Sequence, residues 1–274
     1  MAKKKVGIIG VGSWGKNIVK ILNARADVLM IAYAGSNKTK KYLGGYYPNI
    51  PTTQKYQELL EHPAIEQVYI ATPLHTHEQL VRESLTLGKH TFVEKPLSTS
   101  VEEIRELYTL AEEKNKTLFT GYIYLFDPAF QALQKKLESA KDIHIEMNWE
   151  KHGSFESSLI ENLLVHELAL AHTLIGDLTL EQVTTNEPDI CDATFKGLRG
   201  TAHIHIDRTK TEKQKRLTVQ TASETYEHIF TNENLLSLEL TAFFEATKTG
   251  SVTNEKRQRI DESIAAVAEC LGKG

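Results

Sequence analysis

Residues 1–121 alternate short, β-branched apolar runs with longer amphipathic stretches. This alternation is typical of repeated βα units. Strands that are separated by helices must pair in parallel, and the helices then cover both faces of the sheet. The pattern therefore predicts a doubly wound parallel sheet in the N-terminal half. Its strands are predicted over residues 5–9, 28–34, 67–71, 90–93 and 117–122, and its helices over 16–23, 54–61, 76–87 and 101–114.

After Asp127-Pro128 the periodicity changes, which predicts a second domain. In "TAHIHID" polar and apolar residues alternate with a period of two, as in a sheet with one covered face. We expect an α+β domain with a mostly antiparallel sheet, and we place the domains at 1–121 and 122–274. Helices are predicted over 129–140, 159–175, 236–249 and 261–270, and strands over 143–149, 180–186, 190–195, 200–207, 216–221 and 225–230.

The bulk composition limits the possible partners and settings. A net charge of -4 without a basic segment argues against a nucleic acid partner. The sequence has no signal-peptide pattern and no apolar run of about 18 residues, so we expect no membrane association. Its two cysteines, Cys191 and Cys270, make neither a disulfide framework nor a metal spacing. A reducing, cytoplasmic setting is the expectation.

A glycine turn, "VGIIGVGSWGKN" over residues 6–17, lies between the first predicted strand and helix. Within a βαβ unit this is the context of a dinucleotide site. Gly10 permits a tight turn, Gly12 lets the backbone approach a pyrophosphate, and Gly15 lets the helix pack closely. The alternative is a glycine-rich turn that binds nothing.

The acidic residue that usually bonds the ribose 2′-hydroxyl of NAD is missing after the second predicted strand. Ser36, Asn37 and Lys38 stand there instead. Two hydrogen-bond donors and a positive charge suit a 2′-phosphate, so the sequence favours NADP over NAD. The alternative is that these residues are only polar loop residues and that another group discriminates.

Three further stretches carry a family resemblance: "IATPLHTHEQL" (70–80), "GKHTFVEKPLS" (88–98) and "TGYIYLFDPAF" (120–130). With the glycine turn, they resemble the glucose–fructose oxidoreductase/inositol dehydrogenase (Gfo/Idh/MocA) family. "HTFVEKPL" and "HIHIDRTKTEKQKRLTV" (203–219) look like the branch that acts on UDP-N-acetylhexosamines and their uronates. The resemblance implies a Rossmann domain, a substrate domain that is shorter here than is usual, and a homo-oligomer, dimer or tetramer, formed through the C-terminal sheet.

The resemblance also implies the cofactor contacts and a central lysine. Lys95 follows a predicted strand, so its ammonium can hold a substrate hydroxyl and exchange its proton, provided that its pKa falls from about 10.4 towards neutrality. In the family the bond corresponding to Lys95–Pro96 is commonly cis. The alternative for Lys95 is a surface or phosphate-binding lysine. The implied cofactor contacts, besides the residues named above, are Ser13, Trp14, Thr72, Pro73, His75 and Glu94.

Asn162 and His166 occupy the positions where the family has an aspartate and a histidine, four residues apart on one helical face. Asparagine binds a hydroxyl but accepts no proton, so Lys95 and His166 would share the proton work, or Glu161 or Glu167 would take it over. A core histidine is the alternative for His166. Tyr122 is a further candidate for substrate binding, with packing at the domain junction as its alternative.

These observations predict an NAD(P)-dependent oxidoreductase that acts on a sugar or nucleotide sugar. His75 and His77 follow a strand-to-helix turn with no third ligand in a recognisable pattern, so no metal site is expected. Two other functions stay open. Asn162 and the short second half favour a sensor that binds the cofactor without turnover, and some relatives reduce a non-sugar carbonyl or imine.

Overall fold

The structure is a computed structural model that describes residues 3–151, 158–230, 234–249 and 254–272. The chain divides into two compact units. The first unit comprises Met1–Ser98, Glu102–Gly121 and Leu240–Gln258, and the second comprises Thr99–Val101, Tyr122–Glu239 and Arg259–Gly274.

In the first unit the described residues form a six-stranded parallel sheet with strand order β3-β2-β1-β4-β5-β6. The strand order reverses between β1 and β4, where ligands of such sheets bind. The strands are β1 (Lys4–Ile9), β2 (Val28–Tyr33), β3 (Thr52–Thr53), β4 (Ile65–Ile70), β5 (His90–Glu94) and β6 (Leu118–Gly121). The helices between them are α1 (Gly15–Ala24), α2 (Asn37–Tyr46), α3 (Tyr56–Glu61), α4 (His77–Thr86) and α5 (Val101–Glu113).

Helices cover this sheet because its strands are apolar on both faces. The last four residues of β1 are all buried, as a parallel strand between two helical layers requires. Helix α1 buries Ile18, Val19 and Leu22 and leaves its polar residues outside. This apolar spacing is the signal that the sequence-based prediction used, so we find α1 close to its predicted position.

Helix α2 differs from expectation, because no helix was predicted over residues 37–46. Ser36 caps it, with its Oγ accepting a hydrogen bond from the Thr39 amide at 3.1 Å. Of its ten residues only Leu43 is buried. A helix so polar has almost no apolar periodicity to recognise, and the short strand β3 likewise went unpredicted.

Helix α8 (Leu235–Thr249) contributes residues 240–249 to the first unit, although the sequence assigned all of 122–274 to the second domain. Phe243 packs against Tyr69, Phe92 and Phe119, with ring centroids 5.2, 5.8 and 5.4 Å away. Phe243 thus removes these aromatic rings of the parallel sheet from water, although it comes from a distant segment of the chain.

In the second unit the described residues form a six-stranded sheet with order β12-β11-β7-β10-β9-β8. Only the β7–β10 pair is parallel among the neighbouring strands described here. Alternate residues of β7 and β9 are buried, which shows that one face of this sheet is buried against a helix. The strands are β7 (Ile143–Glu150), β8 (Thr179–Asn186), β9 (Ile190–Gly197), β10 (Gly200–Asp207), β11 (Gln214–Gln220) and β12 (Thr225–Ile229).

The helices of this unit are α6 (Pro128–Lys136), α7 (Val165–Ile175) and α9 (Asn254–Gly272), whose first residues belong to the first unit. Asp127 caps α6 by accepting hydrogen bonds from the amides of Ala129 and Phe130, with Pro128 in the first turn. Helix α7 packs against β7 and β10. No helix in the described part of the chain has both the length and the apolarity needed to cross a membrane.

Candidate functional site

The turn between β1 and α1 has the geometry of a phosphate cradle. Gly10 has a φ of +95°, and a Cβ there would lie 2.4 Å from the carbonyl oxygen of Ala71. A Cβ on Gly15 would lie 1.9 Å from the carbonyl oxygen of Gly10. Both positions therefore require glycine on steric grounds. A Cβ on Gly12, by contrast, would meet nothing within 4 Å, so open space lies in front of the backbone where a pyrophosphate would approach.

Glu94 and Trp14 connect this turn to the end of β5. The indole Nε1 of Trp14 donates a hydrogen bond to Glu94 Oε1 at 2.5 Å. Burial raises the pKa of the Glu94 carboxyl to about 7, and the Trp14 hydrogen bond and the Lys95 ammonium oppose this shift. Trp14, a predicted cofactor contact, is 41% exposed and so is partly open to solvent.

Lys95 directly follows β5, and its side chain is half-buried in the first unit. The Lys95–Pro96 peptide bond is cis, as the resemblance implies. Thr72 and Pro73 lie in the loop after the neighbouring strand β4. The structure thus brings the Lys95 loop and the Thr72 loop to one edge of the sheet, the carboxyl edge, where ligands of such sheets bind.

His77 contacts both loops, and sequence reasoning did not single it out for this role. It is buried, and its ring nitrogens contact the carbonyl oxygens of Pro96 and Thr72. His75, which was the predicted cofactor neighbour, is exposed. The only available signal was the position of His77 in the first turn of a helix that follows a strand.

Ser36, Asn37 and Lys38 are exposed at the start of α2, directly after β2. The Ser36 Oγ is engaged with Thr39. The amide end of a helix favours negative charge, and Lys38 adds a full positive charge beside it. This arrangement is compatible with a 2′-phosphate.

In the second unit, Asn162 and His166 flank a change in helix geometry. Asn162 lies in a π-helical turn (Ile160–Leu164), whereas His166 lies in the first turn of α7. The helix predicted over residues 159–175 is present, but it is π-helical at Asn162. A π-helical turn shifts the angular offset of residues four apart, and such turns are frequent at functional sites.

His166 is half-buried among aromatic rings. Its ring centroid lies 5.1 Å from that of Tyr124 and 5.8 Å from that of Trp149. A buried ion pair lies against the Tyr124 and Trp149 rings, in which Lys215 Nζ is 2.5 Å from both carboxylate oxygens of Glu167. Burial lowers the pKa of Lys215 to about 8, and the Glu167 carboxylate opposes this shift.

Glu167 was one of the two suggested substitutes for the missing aspartate, with Glu161, but its carboxylate is engaged by Lys215 in the core. Both side chains are almost completely buried, and Lys215 Nζ also lies 3.8 Å from the centroid of the Trp149 ring. A buried charge stays ionised only beside such a partner. Sequence reasoning missed Lys215, because it sits in a strand 48 positions from Glu167 and carries no local motif.

Tyr122 is a core residue in this structure. It is 1% exposed, and its hydroxyl donates a hydrogen bond to Asp261 Oδ1 at 2.6 Å. That contact supports packing, the alternative stated above, and substrate binding by Tyr122 stays a prediction.

Lys95 belongs to the first unit, and Asn162 and His166 belong to the second. Their convergence on one substrate stays a prediction. Among the residues described, no group of three or more His, Cys, Asp or Glu side chains is arranged to hold a metal ion. A cavity of about 460 Å³ lies at the opposite, amino-terminal edge of the parallel sheet, beside Ile65, His90 and Lys116, and no predicted site residue lines it.

Comparison with known proteins gives a family match for the N-terminal part of the chain. Residues 4–122 match the model of an oxidoreductase family with an NAD-binding Rossmann fold, the Gfo/Idh/MocA family. Inositol 2-dehydrogenase of Rhizobium meliloti (strain 1021) is 27% identical over 188 residues, which cover 63% of this chain and 55% of that protein. The match confirms the resemblance that the motifs indicated.

A second relative is dTDP-3,4-didehydro-2,6-dideoxy-alpha-D-glucose 3-reductase of Saccharopolyspora spinosa. It is 26% identical over 140 residues, which cover 50% of this chain and 42% of that protein. The chain thus spans about half the length of these curated relatives.

Among solved structures, GenD2 from gentamicin A biosynthesis, in complex with NAD, is similar over the whole chain. The TM-score is 0.85 at 16% identity, with coverage of 100% of this chain and 95% of GenD2. At this identity the likeness shows the fold alone. It confirms the predicted fold class, a parallel Rossmann sheet followed by a mostly antiparallel one.

Proposed function

We propose that the chain, whose residues 4–122 match the model of an oxidoreductase family with an NAD-binding Rossmann fold, is an NAD(P)-dependent dehydrogenase or reductase. Its substrate class is a sugar or nucleotide sugar that carries a hydroxyl or keto carbon. The inositol dehydrogenase and the dTDP-sugar reductase among its relatives support this substrate class. The observation that carries the proposal is the glycine turn. Only glycine fits at Gly10 and Gly15, and open space lies in front of the backbone at Gly12.

The residues that would hold the cofactor lie in the first unit. The turn over Gly10, Gly12 and Gly15 and the first amides of α1 would hold the pyrophosphate. Trp14 and Glu94 would contact the adjoining ribose or nicotinamide. When bound, NAD(P) supplies hydride transfer at its nicotinamide ring.

We propose that Lys95 handles the proton of the reaction. Its ammonium would hydrogen-bond the substrate oxygen and exchange a proton with it as the carbon changes oxidation state. Asn162 would bind a neighbouring hydroxyl and orient the ring, and His166 would share the proton transfer. Holding the reactants in this way can lower a barrier by about 7–11 kcal/mol.

We propose NADP as the preferred cofactor, on the basis of Ser36, Asn37 and Lys38. No carboxylate stands among them to repel a 2′-phosphate, and the amide end of α2 favours negative charge there. The Lys38→Ala variant is expected to bind NADPH about tenfold more weakly, with NADH binding unchanged. Lys41→Ala, at another exposed lysine of the same helix, is the control, and equal losses for both cofactors would contradict the preference.

The proposed reaction is tested with the purified protein, NADPH and NADH, and a panel of keto-sugars, UDP-sugars, dTDP-sugars and imines. We expect turnover of at least one sugar and a loss of about 100-fold or more in kcat for Lys95→Ala, with cofactor binding retained. Lys114→Ala, at an exposed lysine, is the control. Tight NADPH binding without any turnover would instead support the cofactor-binding sensor, and turnover of imines alone would support the non-sugar reductase.

A further inference from the structure

The side chain of His77 is 1% exposed and lies between two loops of the first unit. Its Nδ1 is 2.9 Å from the carbonyl oxygen of Pro96, and its Nε2 is 2.8 Å from the carbonyl oxygen of Thr72. These loops follow the neighbouring parallel strands β5 and β4. One imidazole ring therefore connects the two loops at the carboxyl edge of the sheet.

Both partners of the ring are carbonyl oxygens, which only accept hydrogen bonds. A neutral imidazole carries one N–H group, so it can donate to only one of them at a time. The imidazolium carries two N–H groups and can donate to both. The number of hydrogen bonds between His77 and the two loops is thus set by its protonation state.

The surroundings of His77 act on its charge in opposite directions. Burial lowers the pKa of the His77 imidazole, and the hydrogen bonds to the Pro96 and Thr72 carbonyls raise it. The titratable groups whose charges reach the ring are Lys95 and His75, and both lower its pKa further. As the pH falls, the ring gains the proton that permits the second hydrogen bond. As the pH rises, one of the two bonds is lost.

We propose that His77 is the positioning residue for Lys95, acting as a proton-dependent clamp on the carbonyl oxygen of Pro96. The clamp fixes the backbone from which the Lys95 side chain extends, and it ties that backbone to the Thr72 loop. The expected effect of this clamp on turnover rests on the proposed function. The clamp itself belongs to the described first unit.

Two neutral variants separate the two hydrogen bonds. In His77→Asn the side-chain amide nitrogen takes the place of Nδ1 and keeps the bond to Pro96. In His77→Gln it takes the place of Nε2 and keeps the bond to Thr72. His144→Asn, at an exposed histidine of the second unit, is the control. Thermal melts establish that each variant folds.

The protonation state is measured on nitrogen-15-labelled histidine by NMR from pH 8 down to the lowest pH at which the protein stays folded, with the His77 signals identified by their loss in His77→Asn. We expect both ring nitrogens to carry protons at the acidic end and one to lose its proton as the pH rises. A single N–H throughout this range would overturn the proton-dependent clamp.

The positioning role is measured by amide hydrogen exchange in peptides that cover residues 92–100. We expect faster exchange in His77→Gln than in His77→Asn, the control or the wild type. Equal exchange in all four proteins would overturn the positioning role. This readout needs neither cofactor nor substrate, so it decides the inference even if the proposed reaction is not found.

On a substrate that is turned over, His77→Gln is expected to lose about tenfold or more in kcat with little change in KM, because a displaced Lys95 is misaligned. His77→Asn is expected to keep kcat within about threefold and to lose the part of the pH profile that arises from the imidazole. Equal kcat values for the two variants would contradict the role of the Pro96 bond. Absence of turnover in the wild type would count against the proposed function and not against the clamp.

Discussion

At the scale of single residues, the pKa of the Glu94 carboxyl reflects the surroundings of the candidate cofactor site. A carboxyl with a pKa of about 7 lies beside the turn where anionic phosphates are expected, and burial causes the shift. Its partner Trp14 comes from the glycine turn itself. The proton on Glu94 near neutral pH therefore reduces the negative charge that a bound dinucleotide would meet.

The raised pKa of Glu94 predicts how stability depends on pH. Between about pH 4.5, its unfolded value, and about pH 7, its folded value, the folded state holds a proton that the unfolded state has lost. The free energy of unfolding should therefore fall as the pH rises through this range and level off above it. We expect Glu94 to account for about 1–2 kcal/mol of the fall, since the side chain is only half-buried.

Denaturant unfolding of the wild type and of Glu94→Gln at pH 5, 6, 7 and 8 measures this contribution. The glutamine variant is expected to lose that part of the pH dependence and to be the more stable protein at pH 8. Glu66→Gln, at an exposed glutamate of the same sheet, serves as the control. Identical pH dependence in the wild type and in Glu94→Gln would show that the carboxyl titrates normally.

At the scale of elements, two glycines of the β1–α1 turn have different expected roles: Gly15 in stability and Gly12 in ligand binding. Gly15→Ala would force a Cβ to within 1.9 Å of the Gly10 carbonyl oxygen, so we expect a loss of about 3 kcal/mol or more in stability. Gly12→Ala meets nothing within 4 Å, so the melting temperature is expected to stay near that of the wild type.

The affinity for NADPH is the complementary readout for this turn. Gly12→Ala is expected to lose about tenfold or more in NADPH affinity, because its methyl group would occupy space where the pyrophosphate approaches the backbone. Melting curves and fluorescence titrations distinguish the two variants. Full NADPH affinity in Gly12→Ala would mean that the phosphates lie elsewhere.

At the scale of the whole molecule, the first unit is built from distant parts of the chain. Phe243 of α8 packs on Tyr69, Phe92 and Phe119, and the Asn254 side chain accepts a hydrogen bond from the Leu118 amide. A dinucleotide-binding domain cut at residue 121 would lose this cover and expose aromatic rings of its central sheet.

We therefore expect a fragment of residues 1–121 to unfold at much lower denaturant concentration than the full chain, or to aggregate. In the full chain, Phe243→Ala is expected to cost about 3–5 kcal/mol. Leu238→Ala, at an exposed residue of the same helix, should change the stability by less than about 1 kcal/mol. A 1–121 fragment as stable as the full chain would show that α8 is dispensable.

The sequence by itself determined the features whose physical signal is local. Apolar periodicity predicted the described strands other than β3 and most helices of both units, and the glycine spacing predicted the turn at Gly10 and Gly15. Residues 94–96 marked the end of β5. In each case a strand period of two, a helix period of 3.6 or a steric requirement for glycine is expressed within a few neighbouring residues.

Only the tertiary structure decided the remaining features, because their partners are distant in sequence. His77 meets the Pro96 carbonyl 19 positions away, and Lys215 meets Glu167 48 positions away. Helix α8 covers a sheet whose strands ended more than a hundred residues earlier. Such contacts follow from how whole elements pack, and packing depends on shape and burial summed over many residues, which no short stretch of sequence records.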